Sequence, residues 1–140
     1  MQIEGFEFEP PPGFRTEEAT IAYRMGLPGS GPGPSVIIQS KLAQAGATLA
    51  DLAKETLAEL GQTIPHLKNA SQAELKFADG GVGTLFSYTF NAQTGELRQY
   101  FALRLDKGRL CMITLTVPTQ KLTESSARTF ISAIASVKPR

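Results

Sequence analysis

The stretch GVGTLFSYTFNAQTGELRQYFALRLDKGRLCMITLTVP, residues 81–118, decides the fold. It divides into three runs rich in β-branched, aromatic and aliphatic residues: Val82–Asn91, Leu97–Asp106 and Arg109–Pro118. Between them lie Ala92-Gln-Thr-Gly95 and Asp106-Lys-Gly108, each with the glycine that a tight reversal favours. Strands joined this closely are antiparallel, because a parallel pair needs a crossover of a dozen or more residues. The stretch therefore predicts a β-meander. Alternation sorts its side chains. Cys111, Ile113, Leu115 and Val117 share the side that reads as core, and Leu110, Met112, Thr114 and Thr116 share the other. In the strand before, Gln99, Phe101, Leu103 and Leu105 oppose Arg98, Tyr100, Ala102 and Arg104.

Outward from the meander, Gln72–Phe77 predicts a strand that enters it through Ala78-Asp79-Gly80-Gly81. Thr48–Leu60 predicts a helix. Thr48 serves as N-cap, Asp51 sits in the first turn where its charge suits the dipole, and Gly61 is the stop. Leu49, Leu52, Ala53, Thr56, Leu57 and Leu60 form its buried stripe. A second helix is expected over Gln120–Ser136, with Phe130, Ile131 and Ile134 inward and Thr119 offering a cap. Toward the N-terminus, Gln2–Phe8 reads as a short edge strand stopped by Pro10-Pro11-Pro12. Thr20–Met25 and Ser35–Lys41 read as strands joined by a Gly/Pro loop. That loop has no lysine and is not a phosphate-binding loop. In Ser35–Lys41, Val36 and Ile38 point one way and Ser35, Ile37 and Gln39 the other. Strands in runs, not alternating with helices, predict one α+β domain over residues 1–140. The expected architecture is a mostly antiparallel twisted sheet with two helices packed on one face, leaving the other face open.

The bulk numbers narrow the function. With 41% hydrophobic and 19% charged residues the chain is globular rather than disordered. A net charge of +1, with no run of Lys or Arg, argues against a nucleic-acid partner. One cysteine rules out an internal disulfide. The start carries no apolar signal region, and no window has the roughly 20 apolar residues of a membrane span, so a cytoplasmic location is expected. A single histidine, His66, and a single cysteine, Cys111, give no metal spacing and no catalytic triad. Gly80-Gly81-Val82-Gly83 precedes a strand rather than a helix, so it lacks the dipole end that holds a pyrophosphate. The expectation is a protein without catalytic residues, metal or cofactor. What remains is a sheet face mixing Thr, Ser, Gln, Tyr and aliphatics, suited to a peptide or helix.

Several segments, in order, resemble one family. Phe8-Glu-Pro-Pro-Pro-Gly-Phe14, Thr20-Ile-Ala-Tyr-Arg24, Ser35-Val-Ile-Ile38, Thr48-Leu-Ala-Asp-Leu-Ala53, Leu97-Arg-Gln-Tyr-Phe101 and Ile113-Thr-Leu-Thr116 are similar to the DcrB-related family, which has a PsbP-like fold. Signal-less members of about this length look like the Eag chaperones of bacterial type VI secretion. The resemblance implies a non-enzymatic, often dimeric chaperone that holds the hydrophobic N-terminal helices of a secreted effector on its sheet face. Carried over by residue, the partner-binding set is Ile21, Tyr23, Ser35, Ile37, Gln39 and Gln99. The alternative it leaves is a DcrB- or PsbP-like accessory domain that binds a different protein.

Overall fold

The predicted meander forms. In a computed structural model, described at residues 2–3, 6–9, 15–18, 22–26, 34–64, 66–93 and 95–139, it comprises β7 (Val82–Ala92), β8 (Gly95–Asp106) and β9 (Arg109–Pro118). Asp106 pairs with Arg109, leaving Lys107 and Gly108 at φ 48° and 77°. Two successive left-handed residues make the hairpin turn whose twist matches that of the strands it joins.

Before the meander lie β1 (Gln2–Ile3), β2 (Phe6–Glu7), β3 (Arg15–Glu18), β4 (Ala22–Gly26), β5 (Ser35–Leu42), α1 (Leu49–Thr63) and β6 (Lys68–Lys76). After it come a 3-10 turn (Thr119–Lys121), α2 (Glu124–Ala135) and β10 (Lys138–Pro139). Among the described residues β3-β4-β5-β9-β8-β7-β6 is one antiparallel sheet, and β1-β2-β10 a second, smaller one. The short edge strand expected over Gln2–Phe8 is thus two strands, β1 and β2, and β2 pairs with β10 at the C-terminus. Strands β3 and β10 were not foreseen.

The helix ends follow local chemistry, with two departures from expectation. The Thr48 hydroxyl accepts from Asp51 N at 3.2 Å, as a cap should. Gly61 does not stop α1, which continues to Thr63. The stop is Ile64, extended at φ −105° and ψ 107°. A residue before a proline, here Pro65, is pushed out of the helical region. The second helix starts at Glu124, capped by Thr123 in a reciprocal capping box with Ser126. Thr119 opens the 3-10 turn instead of capping.

The α+β class and the antiparallel sheet with two helices are as predicted, but the helices do not share a face. Phe130 and Ile134 of α2 pack with Val36, Ile38, Ala102, Ile113 and Leu115, joined by Phe6 and Phe8. Ala53 of α1 packs with Phe86, Tyr88, Leu103 and Leu110 on the opposite side. The physical reason lies in the meander itself. Phe101, Leu103, Leu105, Leu110 and Met112 give its second face too much apolar area to stay in water. Gly83 lets β7 come close: a Cβ there would strike the Leu103 carbonyl oxygen and the Phe77 ring.

Candidate functional site

The face under α1 is only partly covered. The helix packs against β7 and β8 and reaches the start of β9 at Leu110 and Met112. Beyond it the face continues over β5 and the second half of β9. Register brings four of the predicted residues together there. Ser35 pairs with Thr116, Thr116 with Gln99 and Gln99 with Tyr88, a row across four strands. The next row is Ile37, Thr114, Phe101 and Phe86, and the one after that starts Gln39, Met112, Leu103. Ser35, Ile37, Gln39 and Gln99 therefore share one face. Ile37 is 36% exposed, in contrast to its neighbours Val36 and Ile38 at 0%.

Tyr23 does not join this row by register: β4 pairs Tyr23 with Ile38 and Arg24 with Ile37. The resemblance places Tyr23 in the partner-binding set with Ile37, whereas the backbone register sets it opposite Ile38. The Tyr23 side chain and the whole of Ile21 lie outside the described residues.

Gln99 is held rather than free. Its Oε1 accepts from the Tyr88 hydroxyl at 2.6 Å and its Nε2 donates to Thr116 Oγ1 at 3.0 Å. Burial pushes the Tyr88 phenol up to about 12, so it stays a neutral donor at any ordinary pH. One N–H and one lone pair of the Gln99 amide remain for a ligand.

A second cluster, which sequence reasoning missed, lies on the other face. Arg104 is 3% exposed. It holds Asp79 through both terminal nitrogens, at 2.9 and 2.6 Å, donates from Nε to Asp106 at 2.6 Å and from one terminal nitrogen to the Val137 carbonyl at 2.7 Å. Its guanidinium lies 4.7 Å from the Phe77 ring centre. The hydrogen bond from Arg104 holds the Asp79 carboxyl down, at about 2. Burial works against the charge of Arg104, yet the two carboxylates outweigh it and raise its pKa. The signal available in the sequence was alternation. Arg104 falls in the row of Tyr100 and Ala102 and pairs with buried Cys111, a place where a cation needs anions. The cluster serves as a brace between the β6–β7 turn, β8 and the C-terminus.

Among the described residues, no group of three or more His, Cys, Asp and Glu side chains could hold a metal ion. Among them, too, no helix is long and apolar enough to cross a membrane.

Comparison with known proteins agrees with this architecture. A protein of unknown function from Pseudomonas aeruginosa, PA94, superposes at a TM-score of 0.68 with 18% identity, over 91% of this chain and 97% of its own. Cyanobacterial PsbP from Synechocystis sp. PCC 6803 superposes at 0.72 with 12% identity, over 98% and 88%. The Ran-binding protein Mog1p of Saccharomyces cerevisiae does so at 0.60 with 14%, over 96% and 90%. At these identities the likeness is one of fold, and the fold is PsbP-like. No curated protein matches the sequence. The DcrB family model matches residues 24–136, most of the length, and the chain belongs to the DcrB family.

Proposed function

We propose that the chain is a non-enzymatic protein-binding domain. It covers a hydrophobic helix with the half of the sheet that α1 leaves open. The observation that carries this is the assembly of Ser35, Ile37, Gln39 and Gln99 on one face, with Ile37 exposed beside Thr114 and Thr116. Such a surface suits an apolar helix that also carries polar or small residues. The isoleucine removes aliphatic area from water, and hydroxyls and amides meet the polar positions. Mog1p, of the same fold, is named as a Ran-binding protein, which supports that use of the fold.

The finer reading follows the resemblance to Eag chaperones. In it the occupant is the N-terminal transmembrane segment of a type VI effector, held in the cytoplasm before export, with the chaperone acting as a dimer. The test is co-expression with such a segment and purification without detergent. A soluble stoichiometric complex is expected. Ile37→Asp is expected to abolish it while costing about 1 kcal/mol or less in folding stability, because the side chain is partly exposed. Unchanged capture by Ile37→Asp would refute the assigned face. Recovery of the chain alone would leave an accessory domain for a different protein partner.

A further inference from the structure

We infer that the helix lying on this face carries a large apolar side chain that enters a cleft beside α1, and a cationic residue next to it that meets Glu55 and Glu59. The inference rests on the proposed helix-binding role and adds the chemistry of the occupant.

The open half of the face is bounded on one side by α1. Leu52, Glu55, Thr56, Glu59, Leu60 and Thr63 all line the boundary. Their spacing is that of a single helical stripe, so they form a continuous wall about 16 Å long. The floor at its foot is Phe101, Leu110 and Met112. Between wall and floor lies a cleft of about 190 Å³. That is below the roughly 300–1,000 Å³ of small-molecule sites, and it suits one protruding side chain better than a free ligand. The cleft lies in the same cross-strand rows as Ile37 and Gln39, since Ile37 pairs across β9 to Phe101 and Gln39 pairs with Met112. A helix laid on Ile37 and Thr114 alongside α1 would reach the cleft with a side chain from one of its turns.

The rim supplies the charge preference. Glu55 and Glu59 are four residues apart on the wall and both are exposed. Among the described residues that line the cleft, these two carboxylates stand against one ammonium, that of Lys41. A buried apolar anchor with a charged group at the rim is a common interface arrangement, in which the rim charge sets orientation and selectivity more than raw affinity. A cation on the occupant is favoured at this wall, and an anion is repelled.

The test uses labelled helical peptides of about 20 residues of Leu, Ala and Ser. One carries lysines four residues apart flanking a central leucine, and one carries glutamates at the same positions. Fluorescence anisotropy in detergent-free buffer reads binding. The lysine peptide is expected to bind about tenfold tighter than the glutamate peptide. Glu55→Lys/Glu59→Lys should invert that order, and cutting the central leucine to alanine should weaken binding several-fold. Equal binding of both peptides, both weakened by Ile37→Asp, would overturn the charge preference and leave the helix-binding role standing. No loss on cutting the leucine would overturn the anchor. Failure of the wild-type chain to bind either peptide would overturn the inference and the role together.

Discussion

The Tyr88 hydroxyl donates a 2.6 Å hydrogen bond to Gln99 Oε1, and Gln99 passes the connection on to Thr116. This chain of bonds crosses β7, β8 and β9 on the face assigned to a partner. Its first member is buried, at 2% exposure, and its last is partly open. Gln99 is therefore a brace that orients the face before it is a contact.

Replacing Gln99 by leucine leaves the Tyr88 hydroxyl without its acceptor. The expected cost is about 1–3 kcal/mol, the penalty of an unsatisfied buried donor. Tyr88→Phe removes the donor and costs about 1 kcal/mol. Combining the two should recover part of the loss, because neither polar group is then stranded. Urea unfolding of the four proteins measures the coupling, and strictly additive effects would show that the bond carries no weight.

Acid should weaken the Asp79–Arg104 brace. The Asp79 carboxyl falls from the ordinary 3.8 to about 2 in the folded chain, chiefly through the Arg104 hydrogen bond. A depressed carboxylate stabilises the fold above its unfolded value, and that stability is lost as the pH drops through the folded one. Wild type should exceed Asp79→Asn by about 2 kcal/mol at most near pH 5, since the side chain is 29% exposed. The gap should close toward pH 2. A gap of the same size at both pH values would mean that the carboxylate charge is not what the brace uses. Arg104→Ala, which strands both aspartates, should cost about 3–5 kcal/mol.

Cys111 should be inert in the native protein. It lies in β9 between β5 and β8 with no exposed surface, and burial pushes its thiol up to about 12. Alkylation needs the thiolate and access to it. Iodoacetamide should label the chain only as fast as it unfolds, and completely in denaturant, read by intact mass. Rapid labelling of the folded chain would contradict the placement of the Cys111, Ile113, Leu115 row in the core.

Much of the fold is legible in local patterns. The meander follows from alternation and from Lys107-Gly108, whose left-handed turn needs only the two residues themselves. Thr48 as a cap and the opposed sets of side chains along β5 and β9 are of the same kind. The candidate site was half legible. Alternation separated Ile37 from Val36 and Ile38, and Gln99 was placed through the family resemblance. The position of Tyr23 was not legible, because a strand's own alternation does not say which neighbour each residue meets. That depends on register, and here the register puts Tyr23 opposite Ile38.

Local chemistry set the meander and its two hairpins, the start of α1 and the opposed sides of β5, β8 and β9, because these depend on interactions within a few residues. The tertiary structure alone decided which helix covers which side. It also decided that Arg104 finds Asp79 25 residues away and the Val137 carbonyl 33 away, and that Glu55 and Glu59 overlook an open floor. Periodicity marks a face as apolar or polar but carries no information about its cover. The cover is set by competition among distant segments for the same buried area, and that competition is resolved only when the whole chain packs.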